Sequence, residues 1–166
     1  MRIPVRISTL VWGLVLLSSA GAGGAVAGDA AAASCRSMTC LVSEARTARG
    51  LPGLKESPRL DRAARARALA IRRCGDFSHT ACGQPFRQVF VRAGYQGRSI
   101  GENLAWGGGR LGSPDRTLAA WLGSPDHRAN LLGRSWREVG VARIHAQRLF
   151  GASDVTVWVM QFGARG

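Results

Sequence analysis

Apolar residues recur at helical spacing in two stretches of the chain, residues 38–50 and 57–75. In the first stretch, Gly50 follows the apolar positions, which are Met38, Leu41, Val42, Ala45 and Ala48. In the second, Ser57 and Pro58 are typical of an N-cap and a first helical position, and Gly75 ends the pattern. One face of this helix is predicted to be buried, and it carries Leu60, Ala64, Ala68 and Ile71. The remaining face is predicted to be solvated and carries Arg62, Arg65, Arg67 and Arg72.

Shorter patterns predict the remaining elements. A short helix is predicted at 85–93, and Ser113-Pro114 and Ser124-Pro125 each open a further helix. Residues 99–106 are typical of a strand, and a Gly-rich loop follows at 107–112. Two β-branched runs, 138–144 and 155–162, predict an antiparallel pair joined by a ten-residue loop. Because the strands do not alternate with helices as βαβ units, the predicted fold class is α+β, with helices packed on a small antiparallel sheet.

Residues 1–27 are predicted to be a secretory signal peptide. Arg2 and Arg6 precede an apolar run at 10–17, and Ala25-Val26-Ala27 is a typical cleavage site. The apolar run is too short to span a bilayer, so we do not expect a membrane-spanning protein. Cleavage leaves a flexible N-terminus at 28–37 and one domain at 38–166. The expected location is therefore extracellular.

The chain is strongly basic, with a formal net charge of +13 at pH 7. Removing the predicted signal peptide takes away two arginines and no acid, which leaves 21 basic and 10 acidic residues. In a secreted protein this charge favours anionic partners such as cell-wall polymers or lipid headgroups. The abundant arginine also fits the composition bias of a GC-rich genome. No stretch alternates aromatic and basic residues, so nucleic acid is not an expected partner.

Four cysteines are present, and an even number in an exported chain predicts two disulfides. A bridge between Cys74 and Cys82 would close a short loop around His79 and leave Cys35 and Cys40 as the second pair. The sequence alone leaves three connectivities open.

Candidate chemistry is concentrated around the segment 101–107, which contains Glu102 and Asn103. A buried carboxylate is costly unless it is paired, and two of the three histidines, His79 and His127, lie in equally distinctive contexts. We predict that these side chains converge on one polar cavity and that Asn103 binds loop backbone. His145 is predicted to be exposed in the loop after the first β-branched run. The predicted core includes Trp106, Trp121, Trp136 and Trp158.

Five phrases in this order resemble the CAP superfamily (cysteine-rich secretory proteins, antigen 5 and pathogenesis-related proteins), in its bacterial, SCP-like branch. The phrases are Asp76-Phe77-Ser78-His79, Gly101 to Gly107, Trp121 to Leu132, Trp136 to Val141 and Trp158 to Gly163. The resemblance as a whole covers roughly residues 40–163, nearly the whole mature chain. The resemblance implies a three-layer α-β-α sandwich, secretion, and a cavity lined by two histidines and two glutamates. The matching positions are His79, Glu102, His127 and Glu138. The helical phrase that carries the second glutamate in eukaryotic members is absent, so Glu138 is assigned from the bacterial pattern.

Such a cavity permits three kinds of chemistry. It could hold a divalent cation such as Zn²⁺, act as an acid–base set, or form a buried hydrogen-bonded network. The leading hypothesis is a secreted binding module at the cell envelope, with a lipid, wall component or protein as ligand. The alternative is a secreted hydrolase, a peptidase or a wall-active enzyme, that uses the same residues. The sequence contains no HExxH motif to support the enzyme.

Overall fold

A computed structural model describes residues 35–165, so the predicted signal peptide and most of the predicted flexible N-terminus lie outside the described residues. The described part contains five α-helices and four strands. The helices are α1 (Met38–Thr47), α2 (Pro58–Cys74), α3 (Gln88–Arg92), α4 (Pro114–Gly123) and α5 (Pro125–Leu131). The strands are β1 (Lys55–Glu56), β2 (Ser99–Gly108), β3 (Glu138–Leu149) and β4 (Ala152–Ala164). Short 3-10 turns span Ala81–Gly83 and Gly109–Gly112.

The four strands form one sheet in the order β1-β3-β4-β2. Strand β4 pairs antiparallel with both β2 and β3, as the two β-branched runs predict for β3 and β4. Strand β1 has no counterpart among the predicted elements and pairs in parallel with β3, so the sheet is mixed. The order leaves β2 at one edge of the sheet.

The hairpin between β3 and β4 is tighter than predicted. The expected ten-residue loop is wrong, because the two strands continue in register to Leu149 and Ala152. The turn has a positive φ at Phe150 (53°) and at Gly151 (77°), which two-residue hairpin turns of this kind require. His145 accordingly lies in β3 rather than in a loop, although it is exposed as predicted.

Helices cover both faces of the sheet. Helix α2 packs against one face through Ala64, Ala68 and Ile71, which contact Val157 and Val159 of β4 within one apolar cluster. On the other face, side chains from three helices meet the alternate residues of the same strand, in a cluster of Met38, Val42, Trp121, Leu131, Trp158, Met160 and Phe162. This is the α+β, three-layer arrangement that the sequence predicts.

Two predictions about individual side chains in the core are wrong. Arg67 was assigned to the solvated face of α2, yet its side chain is fully buried. Trp106 was assigned to the core, yet it is 41 % exposed and contacts Phe150 at the tip of the hairpin. Trp121 and Trp158 are buried as predicted.

The cysteines form the pairs Cys35–Cys40 and Cys74–Cys82, one of the connectivities that the sequence left open. The second bridge joins the end of α2 to the 3-10 turn at Ala81–Gly83, so it closes the loop that carries His79. Within residues 35–165, no helix is long and apolar enough to cross a membrane.

Candidate functional site

The candidate site lies at the edge of the sheet formed by β2. Successive side chains of a strand point to opposite faces, so Glu102 faces the α2 layer and Asn103 faces the layer that contains α4 and α5. Both side chains are buried, Glu102 with 4 % of its surface exposed and Asn103 with none. An edge position lets groups from both layers meet around the strand.

The Glu102 carboxylate is held by three partners. His79 Nδ1 lies 2.8 Å from Glu102 Oε1, and Gln161 Nε2 donates to Glu102 Oε2 at 2.7 Å. The guanidinium of Arg67 adds a positive charge, with its Nε 3.6 Å from Oε2. The charge of this buried carboxylate is therefore balanced by a cation, and each of its oxygens has a hydrogen-bond partner. A carboxylate oxygen accepts hydrogen bonds, so this contact suits the His79 tautomer that carries its proton on Nδ1.

His79 enters the site from the loop that follows α2. The loop is closed by the Cys74–Cys82 bridge, and the His79 ring meets the edge of Phe86 at a centroid distance of 6.1 Å. The side chain is about half exposed (52 %), in contrast to its buried partner Glu102. With Nδ1 donating to Glu102, neutral His79 presents the lone pair of Nε2 to a ligand.

Helix α5 brings the second histidine. His127 is partly buried, and its Nδ1 lies 2.9 Å from Ser124 Oγ at the N-cap of the same helix. Asn103 Nδ2 donates to the backbone carbonyl of His127 at 2.9 Å, which fixes α5 against β2. The predicted backbone contact of Asn103 is therefore present, with a helix rather than a loop.

Side chains from α4 and α5 satisfy the free carbonyls of the edge strand. Asn130 Nδ2 donates to Glu102 O at 3.3 Å and to Asn103 Oδ1 at 3.0 Å. Trp121 Nε1 donates to Leu104 O at 2.9 Å. An exposed strand edge would otherwise offer these groups to water or to another chain. The same contacts place the last turn of α5, which carries Asn130, beside Glu102.

Burial lowers the pKa of His127 below its ordinary value, and the nearby charge of His79 lowers it further. The carboxylate of Asp126 acts in the opposite direction but does not reverse the result. Since two imidazoles influence one another here, protonating both is unfavourable. The site therefore favours a neutral His127, the form that can donate an electron pair.

The polar groups border an open cleft of about 330 Å³ lined by His79, Phe86, Gly101, Glu102 and Asn130. Both oxygens of Glu102 are already engaged, so this carboxylate orients His79 rather than facing the cleft as a free ligand. In the part of the chain that the structure describes, the three-residue group with metal-ligand spacing is Cys35, Cys40 and Glu44, whose cysteines are bonded to each other. At this cleft the described residues therefore offer the His79 imidazole and no preformed cage. His127 does not line the cleft but lies near enough for His79 to influence its pKa.

The structure does not place Glu138 with His79 and Glu102. Glu138 lies opposite Gly163 of β4, whereas Glu102 lies opposite Gln161. The two carboxylates are therefore on the two strands that flank β4, and they are offset along it. Glu138 instead accepts a hydrogen bond from the Tyr95 hydroxyl at 2.8 Å and pairs with Arg165 at 3.0 Å. Burial, reinforced by the hydrogen bond to Glu138, raises the pKa of Tyr95 to about 12. The prediction that Glu138 lines the same cavity is corrected accordingly.

Three residues of the site were not predicted from the sequence, and each has a signal. Arg67 follows Leu60 by seven positions and precedes Ile71 by four, so it lies on the apolar stripe of α2. Asn130 follows His127 by three positions and so shares its side of α5. Predicting Gln161 requires the register of the strands, because this residue is recognised by its position opposite Glu102 in the sheet.

Comparison with known proteins agrees with this geometry. The sequence model of the cysteine-rich secretory protein family (CAP) matches residues 40–162. The uncharacterized protein YkwD of Bacillus subtilis is 27 % identical over 124 residues, which are 74 % of this chain and 44 % of that protein. The chain therefore spans less than half the length of this relative.

Two solved structures share the fold. An outer surface protein of Borrelia burgdorferi aligns with a TM-score of 0.65 and 23 % identity, over 78 % of this chain and 90 % of its own. An extracellular protein of Bacillus anthracis that contains an SCP domain aligns with a TM-score of 0.63 and 20 % identity, over 77 % of this chain and 39 % of its own. The family match covers most of the chain and spans all the residues of the site, from Arg67 to Gln161. The chain belongs to the cysteine-rich secretory protein (CAP) family.

Proposed function

We propose that this CAP domain is a secreted binding module, active at the cell envelope or outside the cell, whose cleft takes its ligand through His79 and His127. Secretion is supported by the signal-like N-terminal sequence and by the two disulfides, which persist in oxidising compartments. The solved structures of similar fold include an outer surface protein and an extracellular protein.

The observation that carries the proposal is the buried support behind an exposed imidazole. Glu102, Gln161 and Arg67 are buried, yet together they orient one half-exposed side chain, His79. Burying a charged pair costs several kcal/mol of desolvation per ion. A half-exposed histidine that served stability alone would not require this cost. Such an arrangement is typical of a site that must present a ring nitrogen in one orientation.

We further propose that a divalent cation such as Zn²⁺ takes part in binding. The carboxylate–histidine contact of Glu102 and His79 is the arrangement that commonly orients zinc-ligating histidines. His79 and His127 would supply the protein ligands, and the remaining positions would be left to water or to donor atoms of the ligand. A zinc ion bound there would polarise a carbonyl, carboxylate or phosphate oxygen of that ligand.

Calorimetric titration of the mature protein with zinc tests this proposal. We expect about one zinc per chain, and a weakening of roughly tenfold or more in His79→Ala and in His127→Ala. His145→Ala is the matched control, because His145 is the third histidine of the chain and lies in β3, outside the cleft. No binding by the wild type, or equal weakening in all three variants, would contradict a zinc site at the cleft.

The hydrolase alternative has one favourable contact, the Ser124 hydroxyl at 2.9 Å from His127. A nucleophile–base pair also needs a group that orients the base, and here Glu102 orients the other histidine. The geometry therefore favours binding over covalent catalysis. Assays with peptide, ester and peptidoglycan substrates separate the two functions. Turnover that is lost in both Ser124→Ala and His127→Ala would show that the domain is an enzyme rather than a binding module.

A further inference from the structure

A second cleft, of about 380 Å³, lies at the start of α2, on the part of the sheet occupied by β1 and β3. We name it the basic cleft, after the cationic side chains of Lys55, Arg59, Arg62 and Arg165 that line it together with Ser57 and Glu138. It shares no lining residue with the histidine cleft. Its volume lies in the range of small-molecule sites.

Half of the positive charge in the basic cleft is uncompensated, because four cationic side chains meet two carboxylates, Glu56 and Glu138. Arg165 is neutralised by its ion pair with Glu138, and Arg62 donates to the backbone carbonyl of Ala93. Within residues 35–165, Lys55 and Arg59 have no ion-pair or side-chain hydrogen-bond partner. The other acid of the cleft is Glu56, an exposed residue of β1 that also lines it. The balance leaves about two net positive charges facing the cleft.

Neutral donors point to the same ligand chemistry. Ser57 lines the basic cleft with only 2 % of its surface exposed, and among the described residues its hydroxyl has no hydrogen-bond partner. The first backbone bond of α2 is donated by Asp61 to Ser57 O, so the N–H groups of Arg59 and Leu60 precede the helical ladder. The positive end of the 17-residue helix dipole adds to the field at this point.

We propose that the basic cleft is a binding site for a phosphate ester. The cleft offers two unpaired cationic side chains, a buried free hydroxyl and backbone N–H groups, a donor set that matches the several oxygens of a phosphate better than the two of a carboxylate. The volume exceeds that of a lone phosphate and leaves space for an organic substituent. This site is independent of the function proposed for His79 and His127.

The first test is calorimetric titration with glycerol 3-phosphate and with inorganic phosphate at constant ionic strength. We expect saturable binding that weakens by roughly tenfold in Arg59→Gln and also weakens in Ser57→Ala. Arg65→Gln is the matched control, because Arg65 is an exposed arginine of the same helix that does not line the cleft. It should bind as the wild type does. The absence of saturable binding, or equal weakening in Arg65→Gln, would overturn the proposal in favour of diffuse charge.

The source of the phosphate is determined with vesicles. Binding to phosphatidylglycerol vesicles but not to phosphatidylcholine vesicles, lost in Arg59→Gln, identifies a lipid headgroup as the ligand. Binding of soluble glycerol 3-phosphate without vesicle binding identifies a free phosphate ester. His79→Ala should leave phosphate affinity unchanged, so failure of the zinc site and failure of the basic cleft give different results.

Discussion

At the scale of single residues, the main finding is the buried pair of Arg67 and Glu102. Arg67 donates to the backbone carbonyl of Phe86 at 3.2 Å, while its Nε and Nη1 have no hydrogen-bond partner among the described residues. Gln161 Oε1 is likewise buried without a partner. Burying charged groups with incomplete hydrogen bonding costs stability. The arrangement is consistent with a role for these residues in orienting His79 rather than in strengthening the core.

Removing one member of this pair should be far more costly than removing both. We expect Arg67→Met to lower the free energy of unfolding by about 3–5 kcal/mol, because it leaves the Glu102 charge buried without its cation. The double variant Arg67→Met/Glu102→Gln should recover a large part of that loss. Urea denaturation of the two single variants and the double variant measures the coupling between the residues.

Arg65→Met is the control for this cycle, since Arg65 is exposed on the same helix and should change stability by no more than about 0.5 kcal/mol. Additive losses in the double variant would show that Arg67 and Glu102 do not depend on each other.

The position of Arg67 on the apolar stripe of α2 indicated burial, but the prediction followed its charge instead. Charged residues are seldom fully buried, so the prediction placed Arg67 in solvent together with three other arginines of α2. Arg46 repeats the pattern in α1, where it is fully buried and donates to Leu131 O at 2.7 Å and to Pro52 O at 2.9 Å. In both helices, the spacing of the arginine from the apolar positions predicted its burial better than its own hydrophobicity did.

At the scale of elements, the sequence predicted those whose stability depends on an apolar face. The central helices and strands α2, β3 and β4 have such faces and were found, whereas β1 and the outer half of the hairpin were not. The outer half pairs through main-chain bonds between polar residues, such as Arg148 with Ser153, so hydrophobic alternation does not mark it. Its turn begins with Phe150 at positive φ, where Asn or Asp is the usual signal.

The contact between α2 and the sheet depends on a residue without a side chain. A Cβ on Gly140 of β3 would overlap the backbone of Leu60 and Asp61 at the start of α2. The Asp61 carboxylate also accepts a hydrogen bond from Val141 N at 2.9 Å, which holds the helix at this distance. Close approach of α2 is what brings Arg67 to Glu102.

We expect Gly140→Ala to lower the free energy of unfolding by about 1–3 kcal/mol, because α2 must move away from the sheet to make room for the methyl group. Gly123→Ala in α4 is the control, since a Cβ there has no atom within 4 Å and alanine favours a helix. Thermal and urea denaturation of both variants provide the comparison. A Gly140→Ala protein as stable as the wild type would show that the helix–sheet distance is not limiting.

At the scale of the whole molecule, the order of the elements was enough to predict the fold class, and the five phrases were enough to identify the family. The convergence of His79 with Glu102 was expected from the resemblance, and the strand edge explains it physically. The position of Glu138 could not be obtained in the same way. It depends on which residues face each other across β4, and that register is set by the complete sheet.

The stability of the whole domain should depend on pH through His127. Its pKa in the folded protein is lowered from the ordinary value of 6.5, first by burial and then by His79. Well above pH 6.5 His127 is neutral in both states, so its contribution to stability is fully present. As the pH falls through 6.5, the unfolded chain takes up a proton that the folded chain does not, so the free energy of unfolding decreases until the folded pKa is reached.

Urea denaturation at a series of pH values between about 7.5 and 5, with a chelator present to remove metal, measures this effect. One proton contributes a slope of at most about 1.4 kcal/mol per pH unit. We expect the slope to be smaller in His127→Gln, and to stay at the wild-type value in His145→Gln, because His145 is exposed in β3. An unchanged slope in His127→Gln would mean that another group controls the stability of the domain in this range, and that His127 is not held in its neutral form by the fold.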